Sequence, residues 1–168
     1  PERAIIANAD PDDEDSDGIS GRVSWTADGR VGRLSWKAQV PSIAEFVRDA
    51  AGAELGLTLP AVQGLTFGAT QDDDGIPDPE LALQDAEALV FYLITLAAPP
   101  RQGNADDPTV RRGERVFSGI GCTSCHLPSL EGPTGPVHLY SDLLLHEILP
   151  IGAPGIASGS ASMREFRT

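Results

Sequence analysis

The stretch Cys122-Thr123-Ser124-Cys125-His126 decides how this chain can fold. It holds both cysteines of the sequence, three positions apart, and a histidine directly after the second. This is the attachment pattern of c-type haem, in which two thiols add to neighbouring vinyl groups of the porphyrin and the histidine binds the iron. The motif therefore predicts one covalently attached haem c, held by Cys122 and Cys125, with His126 as the proximal iron ligand.

Three other interpretations of the cysteine pair stay open. A thioredoxin-like redox pair would sit in a βαβ pattern, which the surrounding sequence does not show. Half of a zinc site would need another ligand pair, and His138 and His146 are eight positions apart, more than the usual spacing. A coincidental buried or disulfide-bonded pair is the third. Haem is favoured, and the flanks agree with it: Phe117 would pack on the haem edge, and Gly119 and Gly121 would let the backbone pass close to the porphyrin.

The second axial ligand of the iron has four candidates. Met163 is the only methionine and follows His126 by 163 − 126 = 37 residues, a span that a wrapping loop can bring back. His146 and His138 are rivals, and an open or water-bound face is the fourth possibility. A thioether ligand raises the potential and suits electron transfer, whereas an open face permits peroxide binding. We expect Met163 first and His146 second.

Upstream of the motif, hydrophobic spacing predicts three helices. Residues 42–54 begin at a capping serine and carry one apolar stripe, with Gly56 as the stop. Residues 84–96 are apolar around most of the circumference, which predicts a largely buried helix. The third predicted helix, residues 108–117, begins at Pro108, directly after the capping carboxylate of Asp107. With a possible short hairpin in residues 1–40 and a helical turn at 141–148, the pattern predicts an all-α, loop-rich protein of cytochrome c type.

The stretch Arg101 to Asp107 has the composition of a linker, polar with glycine and asparagine. It divides the chain into two predicted domains. Residues 1–100 would form the first, which has no haem motif, and residues 101–168 the second, which carries it.

The acidic residues are concentrated in two runs. The 168-residue chain has 25 acidic and 12 basic side chains, a formal charge of −13, and residues 10–17 hold six acids while residues 72–80 hold five. Without these runs the charge is −13 + 11 = −2. This balance argues against nucleic-acid binding, which requires clustered basic residues. The longest apolar stretch, residues 88–100, is shorter than the roughly 20 residues that span a bilayer, so no transmembrane helix is expected.

Both acidic runs have the rhythm of a calcium loop. In the first, Asp13, Asp15 and Asp17 alternate and are followed by Gly18 and the backbone carbonyl of Ile19, as in the front half of an EF-hand. Ser24 stands where the closing glutamate would be, so a complete EF-hand is not predicted. The second, weaker candidate site has three aspartates, namely Asp72, Asp74 and Asp78. The alternatives are solvated acidic loops or a docking patch for a basic redox partner.

Several segments in order resemble the bacterial di-haem oxidoreductases, a peroxidase-like family sometimes labelled thiol oxidoreductases and distantly similar to di-haem cytochrome c peroxidase. They are Ala9 to Asp13, Asp17 to Arg22, Gly32 to Ala38, Phe91 to Ala97, Tyr140 to His146 and Glu165 to Thr168. The resemblance implies two partial cytochrome domains, and calcium binding, which occurs in the related peroxidases. It also implies an internal fragment, because the family usually has an earlier haem motif and further sequence. Family members often place a methionine where this chain has Ile148.

Motif and resemblance together predict a c-type cytochrome portion that transfers single electrons. Peroxide reduction by a di-haem enzyme, or a haem-bearing structural subunit of a larger electron-transfer complex, are the alternatives. The expected partners are a redox protein or other cytochrome subunits. Because haem c is attached outside the cytoplasm, we expect a periplasmic or other extracytoplasmic location.

Overall fold

Short helices and hairpins alternate along the chain. The computed structural model describes residues 2–99 and 103–168. Within these ranges the helices are α1 (Glu2–Ala7), α2 (Ile43–Leu55), α3 (Leu83–Thr95), α4 (Pro108–Gly119) and a 3₁₀ turn (Cys122–Ser124). The strands are β1 (Ser24–Trp25), β2 (Val31–Gly32), β3 (Leu130–Gly132), β4 (Gly135–Val137), β5 (Leu145–Glu147) and β6 (Glu165–Arg167).

The expectation of an all-α fold is wrong. Only 29% of the described residues are helical, and in the same part of the chain three two-stranded antiparallel sheets pair β1 with β2, β3 with β4, and β5 with β6. The glycine-rich segments explain this, because they allow hairpins and close backbone approaches that interrupt helices. At Gly32 in β2, an added Cβ would lie 1.9 Å from the carbonyl oxygen of Ala38, so only glycine fits.

The helical turn expected at residues 141–148 is also absent. This segment instead contains β5, in which His146 lies opposite Phe166 of β6. The run of apolar residues there is too short to fix a helical period, and pairing with a strand twenty residues later decides its conformation. The short hairpin expected near the N-terminus is present as β1 and β2, with Ser24 opposite Gly32.

Helix α2 forms as the sequence predicts. The Ser42 hydroxyl accepts a hydrogen bond of 3.2 Å from the Glu45 backbone N–H, which caps the first turn. At the other end Gly56 takes a left-handed conformation with φ of 68° and donates its N–H back to the last turn. The predicted cap residue and stop residue are therefore both confirmed.

Helix α3 has the predicted extent but not the predicted burial. Ala86 is its one buried residue and packs with Ala51 and Leu59. Phe91 is 66% exposed and Ile94 62% exposed, so the expectation of a helix buried around most of its circumference is wrong. Tertiary neighbours rather than composition decide how much of an apolar helix is covered, and here α2 covers one side only.

The largest cluster of buried apolar side chains joins distant parts of the chain. It contains Ile5, Val23, Val31, Leu130 and Leu144. These residues come from both sides of the predicted domain boundary, which itself falls at residues 100 and 101, outside the described residues. The division into domains 1–100 and 101–168 stays a prediction. No helix in the described ranges is long and apolar enough to cross a membrane.

Candidate functional site

Helix α4 leads directly into the cysteine motif. The Asp107 carboxylate accepts a hydrogen bond of 2.7 Å from the Thr109 backbone N–H, and Pro108 follows as the first helical residue, as predicted. After α4 ends, Gly121 adopts a left-handed conformation with φ of 87°. This turn redirects the chain into the 3₁₀ turn that begins at Cys122.

The motif presents two free thiols beside an oriented imidazole. Cys122 and Cys125 are both half-buried and unpaired, and the His126 backbone N–H donates to the Cys122 carbonyl oxygen at 2.9 Å. The His126 Nδ1 lies 3.0 Å from the backbone carbonyl oxygen of Tyr140. Since a carbonyl only accepts, Nδ1 carries the proton and Nε2 is left with a free lone pair for a metal.

This donor set fits a covalently attached haem. Two thiols and one imidazole nitrogen with the correct tautomer are the groups that c-type attachment requires. The groups of three or more potential ligands found in the described residues include neither thiol, which gives no support to a zinc site. The motif also follows a helix rather than a strand, unlike a thioredoxin-type pair.

Aromatic side chains flank the exposed imidazole of His126. The ring centroid of Phe117 lies 6.2 Å from that of His126 and 5.9 Å from that of Tyr140, the latter pair edge to face. Phe117 and Tyr140 also line a cavity of about 430 Å³ with Thr123 and Pro128. Phe117 thus lies near His126, and its expected packing on the edge of a haem stays a prediction.

A second cavity adjoins Tyr140 on the side of the β3–β4 hairpin. It measures about 650 Å³ and is lined by Pro136, Val137 and His138, together with Ala98 and Pro99 from the segment after α3. Apolar side chains and prolines dominate both cavities. A flat apolar cofactor attached at the motif would therefore meet apolar walls.

His146 is buried and held at both ring nitrogens. Its Nε2 lies 2.7 Å from an Asp142 carboxylate oxygen, and its Nδ1 lies 3.0 Å from the Ser20 carbonyl oxygen. Desolvation lowers the pKa of His146, but the hydrogen bond and charge of Asp142 outweigh it and raise the pKa above its usual value. Both ring nitrogens of His146 therefore face hydrogen-bond acceptors, and the Nδ1 also lies 3.8 Å from the Cys125 sulfur.

Met163 lies two residues before β6. The β5–β6 ladder starts at Leu145 opposite Arg167 and ends at Glu147 opposite Glu165, and Met163 lies beyond that far end. Its side chain is 55% exposed. Among the described residues neither predicted second axial ligand, Met163 or His146, forms a hydrogen bond with His126, and the second-ligand assignment stays a prediction.

The first acidic run folds into a compact loop. Carboxylate oxygens of Asp10, Asp13 and Asp15 lie within 4.8 Å of one another, so the structure brings two predicted calcium ligands together and adds Asp10. The Asp17 carboxylate instead accepts a hydrogen bond of 2.8 Å from the Ile19 backbone N–H. Asp10 is close because its carboxylate accepts from the Glu14 backbone N–H, a local turn that residue spacing alone does not reveal.

The second acidic run forms a similar cluster of three carboxylates, in which Glu80 takes the place predicted for Asp78. Oxygens of Asp72, Asp74 and Glu80 lie within 4.8 Å of one another, while Asp78 accepts a hydrogen bond from the Asp72 backbone N–H at 3.3 Å. A backbone hydrogen bond from Asp74 lowers the pKa of Asp72, but desolvation and the neighbouring carboxylates outweigh it and raise the pKa. Repulsion among the acids is thus present at this loop.

Comparison with known proteins places the chain in one family. A family model described as "Di-haem oxidoreductase, putative peroxidase" matches residues 1–168. Searches of curated proteins and of solved structures returned no match. A match over every residue gives no support to the prediction that the chain is an internal fragment.

Proposed function

Because the chain belongs to the di-haem oxidoreductase family, with a haem-based redox role, we propose that it binds one haem c covalently and transfers single electrons. The observation that carries the proposal is the hydrogen bond of 3.0 Å from His126 Nδ1 to the Tyr140 carbonyl oxygen, next to two free thiols. Cys122 and Cys125 would form the thioethers, and Nε2 of His126 would bind the iron. The bound haem supplies a metal centre that cycles between two oxidation states.

The chain's own residues prepare this site in three ways. The carbonyl of Tyr140 fixes the tautomer and ring orientation of His126, and such partners raise the basicity of a ligating histidine. Phe117 lies beside the imidazole, with the two ring centroids 6.2 Å apart, and packs edge to face against the Tyr140 ring, which restricts the position of Phe117. The backbone N–H groups of Cys125 and His126 both donate to the Cys122 carbonyl oxygen, which closes the 3₁₀ turn and holds the thiols and the imidazole within one turn of chain.

Covalent attachment is tested by mass and by spectrum. Protein produced with a haem c maturation system should gain the mass of one haem and, after denaturation in alkaline pyridine, show a c-type haemochrome. Cys122→Ala and Cys125→Ala should each shift the haemochrome towards that of a haem with a free vinyl group. Ser124→Ala, which leaves all three attachment groups in place, is the matched control. A wild-type protein that matures without any haem mass would refute the proposal.

Peroxide reduction is the second candidate, and one observation favours it. Both ring nitrogens of His146 face hydrogen-bond acceptors, and the Met163 side chain is 55% exposed, so neither is prepared as a second iron ligand. An iron without a second protein ligand would permit peroxide to bind. A high-spin ferric spectrum with steady peroxide turnover would support this activity. A low-spin ferric spectrum with the near-infrared band of methionine ligation would support simple electron transfer with Met163 as the ligand.

We also propose that the acidic loops bind Ca²⁺. Asp13 and Asp15 would be joined by Asp10 in the first loop, with Asp17 and Ile19 as remaining predicted ligands, and Asp72 and Asp74 would be joined by Glu80 in the second. The support is the convergence of three carboxylates in each loop, since hard oxygen ligands of this type suit Ca²⁺. Asp78, the third ligand predicted for the second loop, accepts a hydrogen bond from the Asp72 backbone N–H and lies outside this group of three carboxylates.

The proposed location is periplasmic or otherwise extracytoplasmic, since haem c is attached there. The proposed partners are a redox protein with a basic docking face or other cytochrome subunits, because the chain carries a formal charge of −13. Association with a basic cytochrome that weakens steeply between low and high salt would support the charge-based docking.

A further inference from the structure

A third cavity has no residue of the cysteine motif in its lining. It measures about 620 Å³, within the range of small-molecule sites. Five parts of the chain enclose it: the β1–β2 hairpin, Gln39, the middle of α2, the loop at residues 66–67 and the turn at residues 158–160. Neither the family resemblance nor the haem chemistry gives this cavity a role.

Buried ionic groups hold one side of the cavity in place. Glu45 is fully buried and accepts two hydrogen bonds from the Arg30 guanidinium, at 2.7 and 2.8 Å, and one of 3.1 Å from the Thr66 backbone N–H. Arg48, also buried, donates its Nε–H to the Phe67 carbonyl oxygen at 2.9 Å. These two hydrogen bonds to Thr66 and Phe67 hold the loop at residues 66–67 in place. This side of the cavity is therefore preorganised for a ligand.

The turn at residues 158–160, which lines another part of the cavity, is also held in place by hydrogen bonds and close packing. Arg22 donates to the Ser160 carbonyl oxygen at 2.7 Å, and the hydroxyls of Ser24 and Ser160 lie 3.1 Å apart. Gly159 passes so near to Gln39 that an added Cβ would lie 2.9 Å from the Gln39 Cβ. The turn at residues 158–160 therefore has little room to move.

The charges lining the cavity are unbalanced. The Asp28 carboxylate is paired with the Arg30 Nε at 2.8 Å, and the same guanidinium is already bound to Glu45. Asp49, half-buried on α2, has no hydrogen bond or ion pair with any of the described residues. Burial raises the pKa of Asp49, and the negative charge of Glu54 acts in the same direction. A cation supplied from outside would relieve this unpaired carboxylate.

Two aromatic side chains line the same cavity as this carboxylate. Trp25, although large and apolar, is 47% exposed, and Phe67 contributes a second ring. Tryptophan faces attract ammonium and guanidinium groups, and the combination of an aromatic face with a carboxylate favours an organic cation over a neutral ligand. We propose that this cavity binds a small organic cation, an amine or guanidine compound, with Asp49 pairing the charge and Trp25 covering the ligand.

The test uses the haem-loaded protein and isothermal titration calorimetry in 0.15 M salt, which screens diffuse attraction to the acidic loops. The probe is benzylammonium, and its neutral counterpart is benzyl alcohol. We expect saturable binding of one benzylammonium per chain and at least about tenfold weaker binding of benzyl alcohol. Asp49→Asn should weaken benzylammonium binding by about tenfold or more, as the loss of a charged hydrogen bond does. Trp25→Leu should weaken it by about threefold.

Matched variants keep the result specific. Asp85→Asn removes an acid from α3, and Trp36→Leu removes a tryptophan that is 81% exposed and does not line the cavity. Both should bind benzylammonium as the wild type does. Equal loss in Asp85→Asn and Asp49→Asn, equal binding of the two probes, or no saturable binding would each overturn the proposal. Circular dichroism and the haem spectrum of each variant show that it has folded, independently of ligand binding.

Discussion

Replacement of Glu45 by glutamine should destabilise the protein more than any other single loss of charge on α2. Glu45 is fully buried, and its carboxylate binds both terminal nitrogens of Arg30. It also accepts from the Thr66 backbone N–H and from the Ser42 hydroxyl, which caps α2. Glu45→Gln keeps the shape of the side chain but removes the charge, so Arg30 loses its buried partner.

The magnitude follows from burial. Breaking a buried ion pair by removal of one partner costs about 3 to 5 kcal/mol. Arg30 keeps Asp28 and is 36% exposed, so water and a second carboxylate partly compensate the loss. We therefore expect a decrease of about 3 kcal/mol in the free energy of unfolding. With a urea m value of about 2 kcal/mol per molar, the unfolding midpoint should fall by about 1.5 M.

The assay is urea unfolding of the haem-loaded protein, followed by far-ultraviolet circular dichroism. Glu54→Gln, at an exposed position on the same helix, is the matched control and should change stability by less than about 0.5 kcal/mol. A decrease below about 1 kcal/mol for Glu45→Gln would refute the reasoning, because surface pairs contribute that little.

The same pair predicts a pH dependence. Burial raises the pKa of Glu45, but the hydrogen bonds from Arg30, Thr66 and Ser42 outweigh it, so the pKa lies below the usual value of 4.5. A carboxyl whose pKa is lowered by folding stabilises the protein above its unfolded pKa and loses that effect as the pH falls through its folded pKa. The stability difference between wild type and Glu45→Gln should therefore be full above about pH 4.5 and shrink below it.

Two further predictions concern the acidic loop and the buried histidine. Ca²⁺ at about 100 times its Kd should raise the free energy of unfolding by about 2.7 kcal/mol, and a chelator should reverse this gain. The gain should be smaller in Asp13→Asn but unchanged in the exposed control Asp106→Asn. A Tm that does not change when Ca²⁺ is added would contradict calcium binding. Because the pKa of His146 is raised, its pair with Asp142 should stabilise fully below about pH 6.5 and less as the pH rises through the folded pKa. Urea unfolding of His146→Gln should lack this decline, and an equal pH slope in both proteins would argue against the pair.

Local signals in the sequence predicted those elements whose cause is local. Ser42 and Gly56 bound α2 because a hydroxyl cap and a left-handed glycine act within one turn. Asp107 and Pro108 start α4 for the same reason. The strands could not be predicted as easily, because β5 forms only through pairing with β6, and its three residues carry no period of their own.

In the candidate site, too, some groups have a local signal in the sequence and others do not. The attachment groups follow from the spacing of Cys122, Cys125 and His126, whereas their supporting groups come from distant positions and act through the backbone. Tyr140 contributes a carbonyl oxygen, which any residue has, so no sequence signal could identify it. The contacts of Lys37 also could not be identified from the sequence, because its partners are backbone carbonyl oxygens. Lys37 is buried and donates to the carbonyl oxygens of Ser162 and Met163, which holds Met163 beside β6.

The acidic loop and the haem motif, which the sequence presents as separate features, are neighbours in the fold. The Ser20 carbonyl at the end of the loop binds His146, whose Nδ1 also lies 3.8 Å from the Cys125 sulfur. Burial raises the pKa of the Cys125 thiol, and the charges of Asp142 and Asp17 raise it further. A cation bound in the loop would offset the charge of Asp17 and so lower the thiol pKa. If the loop binds a cation, we therefore expect its occupancy to change the reactivity of the free Cys125 thiol, before haem is attached.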